Sequence, residues 1–216
     1  MSFTDFHMHT ILSDGFLLPS ELVRRAEANG YTSIAITDHV DVSTIDRVII
    51  ELSKMLNESD MIDVIPGVEI THVLPSMIPE LAKKAKKAGF LVVVHGETIV
   101  EPVRKGTNFA ALNSGYVDIL AHPGLITEEE VKLAVENDVF LELSGRKGHS
   151  FTNGHVARLA KKYNAKMLVN SDTHAPSDML SQKRVSDLIL GAGLKEKDIK
   201  VITQINASEL RKRFIK

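Results

Sequence analysis

The sequence contains no cysteine, which excludes disulfide bonds and thiolate metal sites. It also has no run of about 18 consecutive apolar residues, the length that a membrane-spanning helix needs, so we expect no membrane partner. We expect no cleavable leader, because the first strand is predicted to begin near Phe3 and the first informative histidine is His7. Together these absences favour a cytoplasmic protein.

Basic and acidic residues are nearly equal in number. The 26 basic and 28 acidic residues leave a formal net charge of −2, and no extended basic tract is present. A general nucleic-acid-binding role is therefore disfavoured. With 216 residues, 44% of them hydrophobic, the chain suits one globular domain, which we place at residues 1–216.

Short apolar runs alternate with amphipathic segments along the whole chain. The apolar runs predict seven strands, at Thr4–Met8, Ser33–Thr37, Asp63–Ile70, Phe90–Val94, Asp118–Ala121, Val139–Leu143 and Lys166–Asn170. Apolar residues at three- and four-residue spacing predict helices at Ser20–Asn29, Ser43–Asn57, Ser76–Ala88, Thr127–Asn137, Asn153–Tyr163 and Ser181–Leu190. The charged stretch Lys195–Lys200 predicts a solvated turn before a C-terminal helix.

This alternation predicts an α/β protein with a parallel sheet and right-handed crossovers. Both an open doubly wound sheet and a closed barrel satisfy the pattern. No glycine-rich phosphate loop follows the first strand, so a nucleotide-binding fold is disfavoured.

Histidine and acidic residues stand at the carboxyl ends of the predicted strands. In chain order these ends carry His7 and His9, Asp38 and His39, Glu69, His95 and Glu97, His122, Glu142, and Asp172 and His174. Because all strands of a parallel barrel point the same way, these ends lie on one face, where active sites of such barrels occur. A lone histidine after a strand is more often a hydrogen-bonded structural residue, so the prediction of a site depends on the whole set.

The residue types in this set predict bound metal. His7 and His9 are two residues apart on one strand, so their side chains share a side and can reach one ion. Imidazole and carboxylate ligands without thiolate suit zinc, manganese or iron. The set offers more ligands than one tetrahedral ion can bind, which predicts two or three divalent ions.

Basic residues in two loops are candidates for binding a substrate phosphate. Arg146 and His149 follow the sixth strand, and the Arg146 guanidinium can bind phosphate through two parallel hydrogen bonds. Arg104, after the fourth strand, is the other candidate. The alternative is that these are solvated loop charges. Glu142 and Glu97 are predicted to orient ligand histidines by binding the ring nitrogen that does not contact the metal.

Ordered motifs resemble those of the PHP (polymerase and histidinol phosphatase) superfamily. They are Asp5-Phe6-His7-Met8-His9-Thr10, Ser13-Asp14-Gly15, Ile36-Thr37-Asp38-His39, Pro66-Gly67-Val68-Glu69, Val94-His95-Gly96, Ala121-His122-Pro123 and Ser171-Asp172-Thr173-His174. Within the superfamily the chain resembles small archaeal-type proteins with a histidinol phosphate phosphatase domain. The resemblance covers essentially the whole chain and implies a distorted (βα)7 TIM-like barrel, in agreement with the seven predicted strands.

The resemblance also implies a ligand set. His7, His9, Glu69 and Asp172 would bind a first ion, and Glu69 would bridge to a second ion. The second ion would be held by His95 and His122, and a third by Asp14, His39 and His174. Asp14 stands where some relatives carry histidine.

The implied function is hydrolysis of a small phosphate monoester, as in a histidinol phosphatase, by a metal-activated hydroxide near Glu69. His39 and His174 are candidates for protonating the leaving group. The alternatives are a nucleotide phosphatase or nucleic-acid phosphodiesterase of the same fold, an amidohydrolase, and a non-catalytic RNA- or protein-binding module. The fourth strand lacks the lysine that amidohydrolases often carry, and the ligand set is complete, which disfavours the last two. The physiological substrate, native metal and oligomeric state stay open.

Overall fold

Parallel strands form the central sheet of the computed structural model, which describes residues 3–55, 59 and 61–215. Its strands are β1 (Phe3–Asp5), β2 (Tyr31–Ile36), β3 (His39–Val40), β4 (Asp63–Ile70), β5 (Leu91–His95), β6 (Ile119–Ala121), β7 (Phe140–Ser144) and β8 (Met167–Asn170). They are ordered β1-β2-β4-β5-β6-β7-β8, and β3 also pairs with β4.

The short strand β3 continues the position that β2 occupies in the sheet. β2 pairs with β4 as far as Ile36 opposite Pro66, and β3 resumes with His39 opposite Glu69. Only residues 37–38 separate the two strands. The eight strands therefore fill the seven positions that the sequence predicts.

The two edges of the sheet meet just beyond β1 and β8. Met8 forms a parallel bridge to Thr173, and the His9 N–H donates to the Thr173 carbonyl oxygen at 2.8 Å. The side-chain oxygen of Asn170 accepts the Phe6 N–H at 3.0 Å. The sheet is thus nearly closed into a barrel, and the predicted TIM-like α/β fold is confirmed.

Helices lie between strands on the outside of the barrel, and three more helices follow β8. They are α1 (Pro19–Ala28), α2 (Ile45–Ser53), α3 (Ile78–Lys87), α4 (Thr107–Leu112), α5 (Glu128–Glu136), α6 (Asn153–Tyr163), α7 (Gln182–Gly191), α8 (Glu196–Lys200) and α9 (Ala207–Arg211). All six predicted helices are present; α6 has the predicted bounds and the other five have shifted ends, although Asn57, the predicted end of the second, lies outside the described residues. In the described ranges no helix has the length and apolar character needed to cross a membrane.

The side chains of Lys195, Glu196, Lys197 and Lys200 are exposed as predicted, but the stretch Lys195–Lys200 is not a turn. It leads into α8, where Asp198 is only 5% exposed and accepts hydrogen bonds from the Lys195 N–H and Lys161 Nζ, both at 2.9 Å. The predicted turn was wrong, and the burial of Asp198 was missed because its partner Lys161 lies 37 residues away in sequence.

The C-terminal helix α9 closes the amino-terminal end of the barrel. Ala207 and Leu210 pack with the interior side chains of the barrel, among them Phe6, Ile65 and Phe140. The Arg211 guanidinium binds Asp63, the first residue of β4. Because this end is filled, a site can open only at the opposite mouth, where the strands end.

Candidate metal centre

Side chains from the carboxyl ends of the strands surround a cavity of about 430 Å³ at the open mouth. The predicted ligands and substrate contacts among its lining residues are Asp14, His39, His95, His122, Arg146, His149, Asp172 and His174. His7, His9 and Glu69 lie beneath them, each no more than 1% exposed. The fold therefore gathers residues that are far apart in sequence, as the strand-end pattern predicts.

Glu69, near the end of β4, is at the centre of the deep cluster. Its Oε2 lies 3.2 Å from His7 Nε2 and 3.4 Å from His9 Nε2, and its Oε1 lies 3.5 Å from His122 Nε2. Asp172 faces it, with Oδ1 3.4 Å from His9 Nε2. Two carboxylates and three imidazoles thus converge on one buried space.

Most of these deep atoms have no partner in hydrogen-bond geometry. They are His7 Nε2, both ring nitrogens of His9, both carboxylate oxygens of Glu69 and His122 Nδ1. A buried polar atom left unpaired costs about 1–3 kcal/mol, and folded proteins rarely leave several together. Two ligands about 2.1 Å from one ion lie roughly 3.0–3.4 Å apart, close to the spacings measured around Glu69. The residues therefore fit divalent metal ions.

A second group, of His9, Asp14, His39 and His174, lies nearer the mouth and could also hold an ion. Asp14 comes from the loop after β1, and its Oδ1 lies 3.1 Å from His174 Nε2 and 3.6 Å from His39 Nε2. Buried Asp38 fixes this loop by accepting hydrogen bonds from Thr10 and Ser13.

A third group consists of His95, His122 and His149. His149, predicted as a substrate contact, is only 4% exposed. Glu101, from the loop after β5, lies 3.1 Å from His95 Nε2 and 3.4 Å from His149 Nε2. The sequence did not reveal Glu101, because it lies six residues beyond the end of its strand and residue types do not reveal the path of a loop.

Glu142 and Glu97, which were predicted to orient ligand histidines, differ in what they bind. Glu142 Oε1 lies 2.8 Å from His7 Nδ1, so Glu142 orients that imidazole as predicted. Glu97 instead accepts the N–H groups of Gly106 and Asn108 at 2.8 and 3.0 Å. The prediction for Glu97 was wrong: this carboxylate fixes the loop between β5 and α4.

Three cavity residues other than glycine have a left-handed backbone conformation. They are His72, His122 and Asp172, with φ angles of 54°, 27° and 55°. Such conformations cost on the order of 1–3 kcal/mol and persist where the surrounding structure enforces them, often at functional sites. The backbone is therefore strained at two predicted ligands.

The charges within the cluster shift the protonation of its members. Burial opposes ionisation of Glu69, yet the neighbouring charges of His7 and His39 hold its pKa well below the usual range. Burial, reinforced by the charge of His39, lowers the pKa of His9 to about 3. Burial lowers the pKa of His174, but hydrogen bonds to Asp14 and Asp172 outweigh it and raise the pKa to about 9. At neutral pH the metal-free cluster therefore combines ionised carboxylates with both neutral and protonated imidazoles.

The two predicted phosphate-binding arginines lie in different environments. Arg146 lines the cavity, where its Nη1 lies 3.3 Å from the Asp172 carbonyl oxygen and 2.7 Å from His174 Nδ1. Arg104 is exposed and does not line this cavity, and its carbonyl oxygen accepts hydrogen bonds from Thr107. The structure thus brings Arg146 to the candidate ligands and leaves Arg104 outside.

Several curated proteins are similar to this chain in sequence. An uncharacterized protein of Methanocaldococcus jannaschii is 48% identical over 215 residues, covering 97% of this chain and 99% of its own length. Ribonuclease P protein component 3 of Methanosarcina barkeri is 27% identical and covers 90% of this chain and 82% of its own length. A protein of Acetivibrio thermocellus named as a probable phosphatase is 26% identical and covers 86% and 85%.

Solved structures share the fold at lower identity. A chain of archaeal ribonuclease P with mature tRNA has a TM-score of 0.65 at 17% identity and covers 96% of this chain and 87% of its own. The ochratoxinase of A. niger has a TM-score of 0.67 at 13% identity and covers 97% and 71%. These likenesses show the fold alone. A profile of the PHP domain family matches residues 5–189, and the chain therefore belongs to the PHP domain family.

Proposed function

We propose that this protein is a metal-dependent phosphoesterase that hydrolyses a small phosphate monoester at the open mouth of the barrel. The observation that carries the proposal is the cluster of buried imidazole and carboxylate atoms around Glu69 that have no hydrogen-bond partners. Family membership and similarity to a protein named as a probable phosphatase support it. Because the sequence lacks cysteine, we expect the protein to act in the cytoplasm.

The proposed ligands form three overlapping sets. The first is His7, His9, Glu69 and Asp172, the second is Glu69, His95 and His122, and the third is Asp14, His39 and His174. Divalent zinc, manganese or iron bound there would lower the pKa of coordinated water and neutralise phosphoryl oxygens. The remaining work falls to the side chains of the chain itself.

Arg146 is the proposed phosphate-binding residue. Its guanidinium lies within the cavity lining and donates to the Asp172 carbonyl oxygen, which ties it to the strand end that carries a ligand. A phosphate monoester is a dianion, and a planar guanidinium can donate two parallel hydrogen bonds to it. Arg146 would thereby hold the substrate with its phosphorus facing the buried carboxylates.

His39 and His174 are the proposed proton donors for the leaving alkoxide. Their side chains are 24% and 10% exposed, so they lie between the deep cluster and solvent. A ring nitrogen that binds an ion cannot also donate a proton. At least one of these two histidines must therefore keep one ring nitrogen free of metal and protonated when the leaving group departs.

A nucleotide or nucleic-acid substrate is the second candidate. The similarity to ribonuclease P protein component 3 favours it. Phe16 and Phe151 are 76% and 72% exposed in the loops that also carry Asp14 and Arg146. Neither ring lines the cavity, but exposed aromatic rings on loops that carry site residues suit the stacking of bases. The cavity volume of about 430 Å³ lies in the range of small-ligand sites, which favours the small monoester.

The test is a substrate panel run with defined metal content. Metal-stripped protein is reloaded with zinc, manganese or iron and assayed for phosphate release from histidinol phosphate, nucleoside monophosphates, sugar phosphates and short single-stranded DNA. We expect turnover of a small monoester that disappears when the ions are chelated. If fully loaded protein turns over none of them, the proposal fails and a binding module is favoured.

A further inference from the structure

We propose that His149 and Glu101 are two additional protein ligands of the ion that His95 and His122 hold. This assignment depends on the metal centre of the proposed function, but it adds residues from two loops that the ordered sequence motifs do not include. With them the ion would have three imidazoles and a loop carboxylate around it, besides the central Glu69.

The position of His149 is that of a ligand. It begins the turn after β7, is 4% exposed, and its ring stacks on that of His122 with centroids 4.1 Å apart. Its Nδ1 lies 2.8 Å from the Thr98 hydroxyl oxygen, which leaves Nε2 to face the site. A histidine bound at one ring nitrogen by such an outer partner typically offers the other nitrogen to metal. Candidate ligand atoms of His95, His122 and His149 all lie within 4.8 Å of one another.

Glu101 spans two of these histidines. Its Oε2 lies 3.1 Å from His95 Nε2 and its Oε1 lies 3.4 Å from His149 Nε2. These distances match the roughly 3.0–3.4 Å that separates two ligands of one ion. The loop that carries Glu101 is anchored by the hydrogen bonds of Glu97 to Gly106 and Asn108. The carboxylate is therefore held over the histidines.

A rival position for an ion exists between His72, His95 and Glu101, whose candidate ligand atoms also lie within 4.8 Å of one another. The Nδ1 of His95 faces the Gly96 carbonyl oxygen, so only Nε2 is available, and it can bind one ion. The two positions are therefore mutually exclusive. The His72 side chain is 44% exposed, whereas His122 and His149 are buried, and a buried set of ligands loses less to competing water. The structure thus favours the inner position.

A fuller set of protein ligands has a measurable consequence. Each added imidazole or carboxylate strengthens the hold on the ion, so we expect the ion at His95, His122, His149 and Glu101 to be the most tightly bound in the protein. Removing either loop ligand should selectively lower the affinity of the protein for that ion. Ions around His7 and His174 should keep their affinity.

The experiment measures metal affinity and needs no substrate. Metal-free full-length protein is titrated with cobalt(II) against a competing chelator, and bound ions per chain and the visible absorption of cobalt are recorded. The variants are His149→Ala, Glu101→Gln and His72→Asn, where asparagine tolerates the left-handed backbone at that position. Matched controls are His155→Ala on α6 and the exposed Glu129→Gln on α5.

We expect His149→Ala and Glu101→Gln each to raise the Kd of the most tightly bound ion and to change the cobalt spectrum. The increase in Kd should exceed the roughly 10–100-fold that loss of an outer hydrogen-bond partner costs. His72→Asn and the controls should titrate like the parent protein. Circular dichroism checks folding, and His149→Gln replaces His149→Ala if the alanine variant unfolds. Wild-type affinity and spectrum in the His149 and Glu101 variants would overturn the proposal. An equal loss in His72→Asn would overturn it too, since the ion would then lie in the outer position.

This experiment also separates the assignment from the proposed function. If the protein binds cobalt as expected but hydrolyses no phosphate ester, the hydrolase proposal fails while the ligand assignment holds. If it hydrolyses phosphate esters and the His149 variant keeps its ions but has a raised KM, His149 contacts the substrate and the ligand assignment fails.

Discussion

Glu69 is the residue on which the proposed metal centre depends most, because its two oxygens lie between histidines from two different strand ends. Glu69→Gln keeps the shape of the side chain but removes its charge and replaces one acceptor oxygen with a donor. We expect it to reduce both metal content and kcat/KM by at least about 100-fold while the barrel stays folded. Elemental analysis and steady-state kinetics measure these effects, and the exposed Glu136→Gln on α5 is the control. Full metal content with an unchanged rate would contradict the central role of Glu69.

Arg146 and Arg104 form a natural pair for testing phosphate binding, since only Arg146 lines the cavity. Loss of a charge-assisted hydrogen bond costs about 1.5–3 kcal/mol. Arg146→Ala should therefore raise KM for a phosphate monoester by roughly 10- to 150-fold with a smaller change in kcat. Arg104→Ala should leave both constants near their original values. Equal effects of the two substitutions would show that a general positive field, and not a contact at the mouth, attracts the substrate.

The sequence predicts which residues come together at the open mouth where a strand positions them. His7, His9, Glu69 and His95 could be found because parallel strands bring their carboxyl ends to one face. Glu101 could not be found in this way, since it lies in a loop whose path depends on the Glu97 hydrogen bonds to Gly106 and Asn108. The burial of His149 likewise depends on tertiary contacts with Thr98 and His122.

At the scale of elements, apolar periodicity predicted the strands and the long helices but not the short or irregular pieces. α4 has only six residues, too few to display helical spacing. The break between β2 and β3 arises where the Asp38 side chain binds the Thr10 backbone and hydroxyl, a contact between residues 28 positions apart. Such pairings are set by the closed barrel and leave no local pattern in the sequence.

The helix α9 completes the barrel core at its amino-terminal end. Leu210 is fully buried among the interior side chains. Leu210→Ala should lower the free energy of unfolding by about 2–5 kcal/mol, because it leaves a cavity in a closed core. Leu190→Ala on α7, at a side chain 42% exposed, should change it by no more than about 0.5 kcal/mol. Urea denaturation of both variants measures the difference, and equal stabilities would show that α9 is dispensable.

At the scale of the whole molecule, the two ends of the barrel have different electrostatic designs. At the closed end, acidic strand starts pair directly with basic side chains, as in Asp63 with Arg211 and Asp118 with Lys86. At the open end, Glu69 and Asp172 are surrounded by histidines in place of lysine or arginine, apart from Arg146. Histidine gives up its proton readily, so these partners can exchange protons for metal ions. The closed end thus contributes stability, and the open end has the side-chain chemistry that the proposed metal binding requires.

The exchange of protons for metal predicts how the stability of the whole protein depends on metal and pH. Hydrogen bonds to Asp14 and Asp172 raise the pKa of His174 to about 9, and the carboxylates of Glu69 and Glu142 raise that of His7 despite its burial. In metal-free protein these protonated histidines stabilise the fold below their unfolded pKa of 6.5, and that stabilisation is lost as the pH rises through the folded values.

A bound ion replaces those protons, so metal affinity should rise with pH from 6 to about 9. At a free metal concentration 100 times Kd, we expect a gain of about 2.7 kcal/mol, or roughly 5–11 °C in Tm for a domain of this size. Differential scanning calorimetry with metal and with chelator, at pH 6 and pH 9, measures the gain, which should be larger at pH 9 for the same total metal. Calcium, which prefers oxygen ligands, is the control and should give a smaller shift. A Tm that does not change with metal at either pH would mean that the clustered histidines and carboxylates bind no ion.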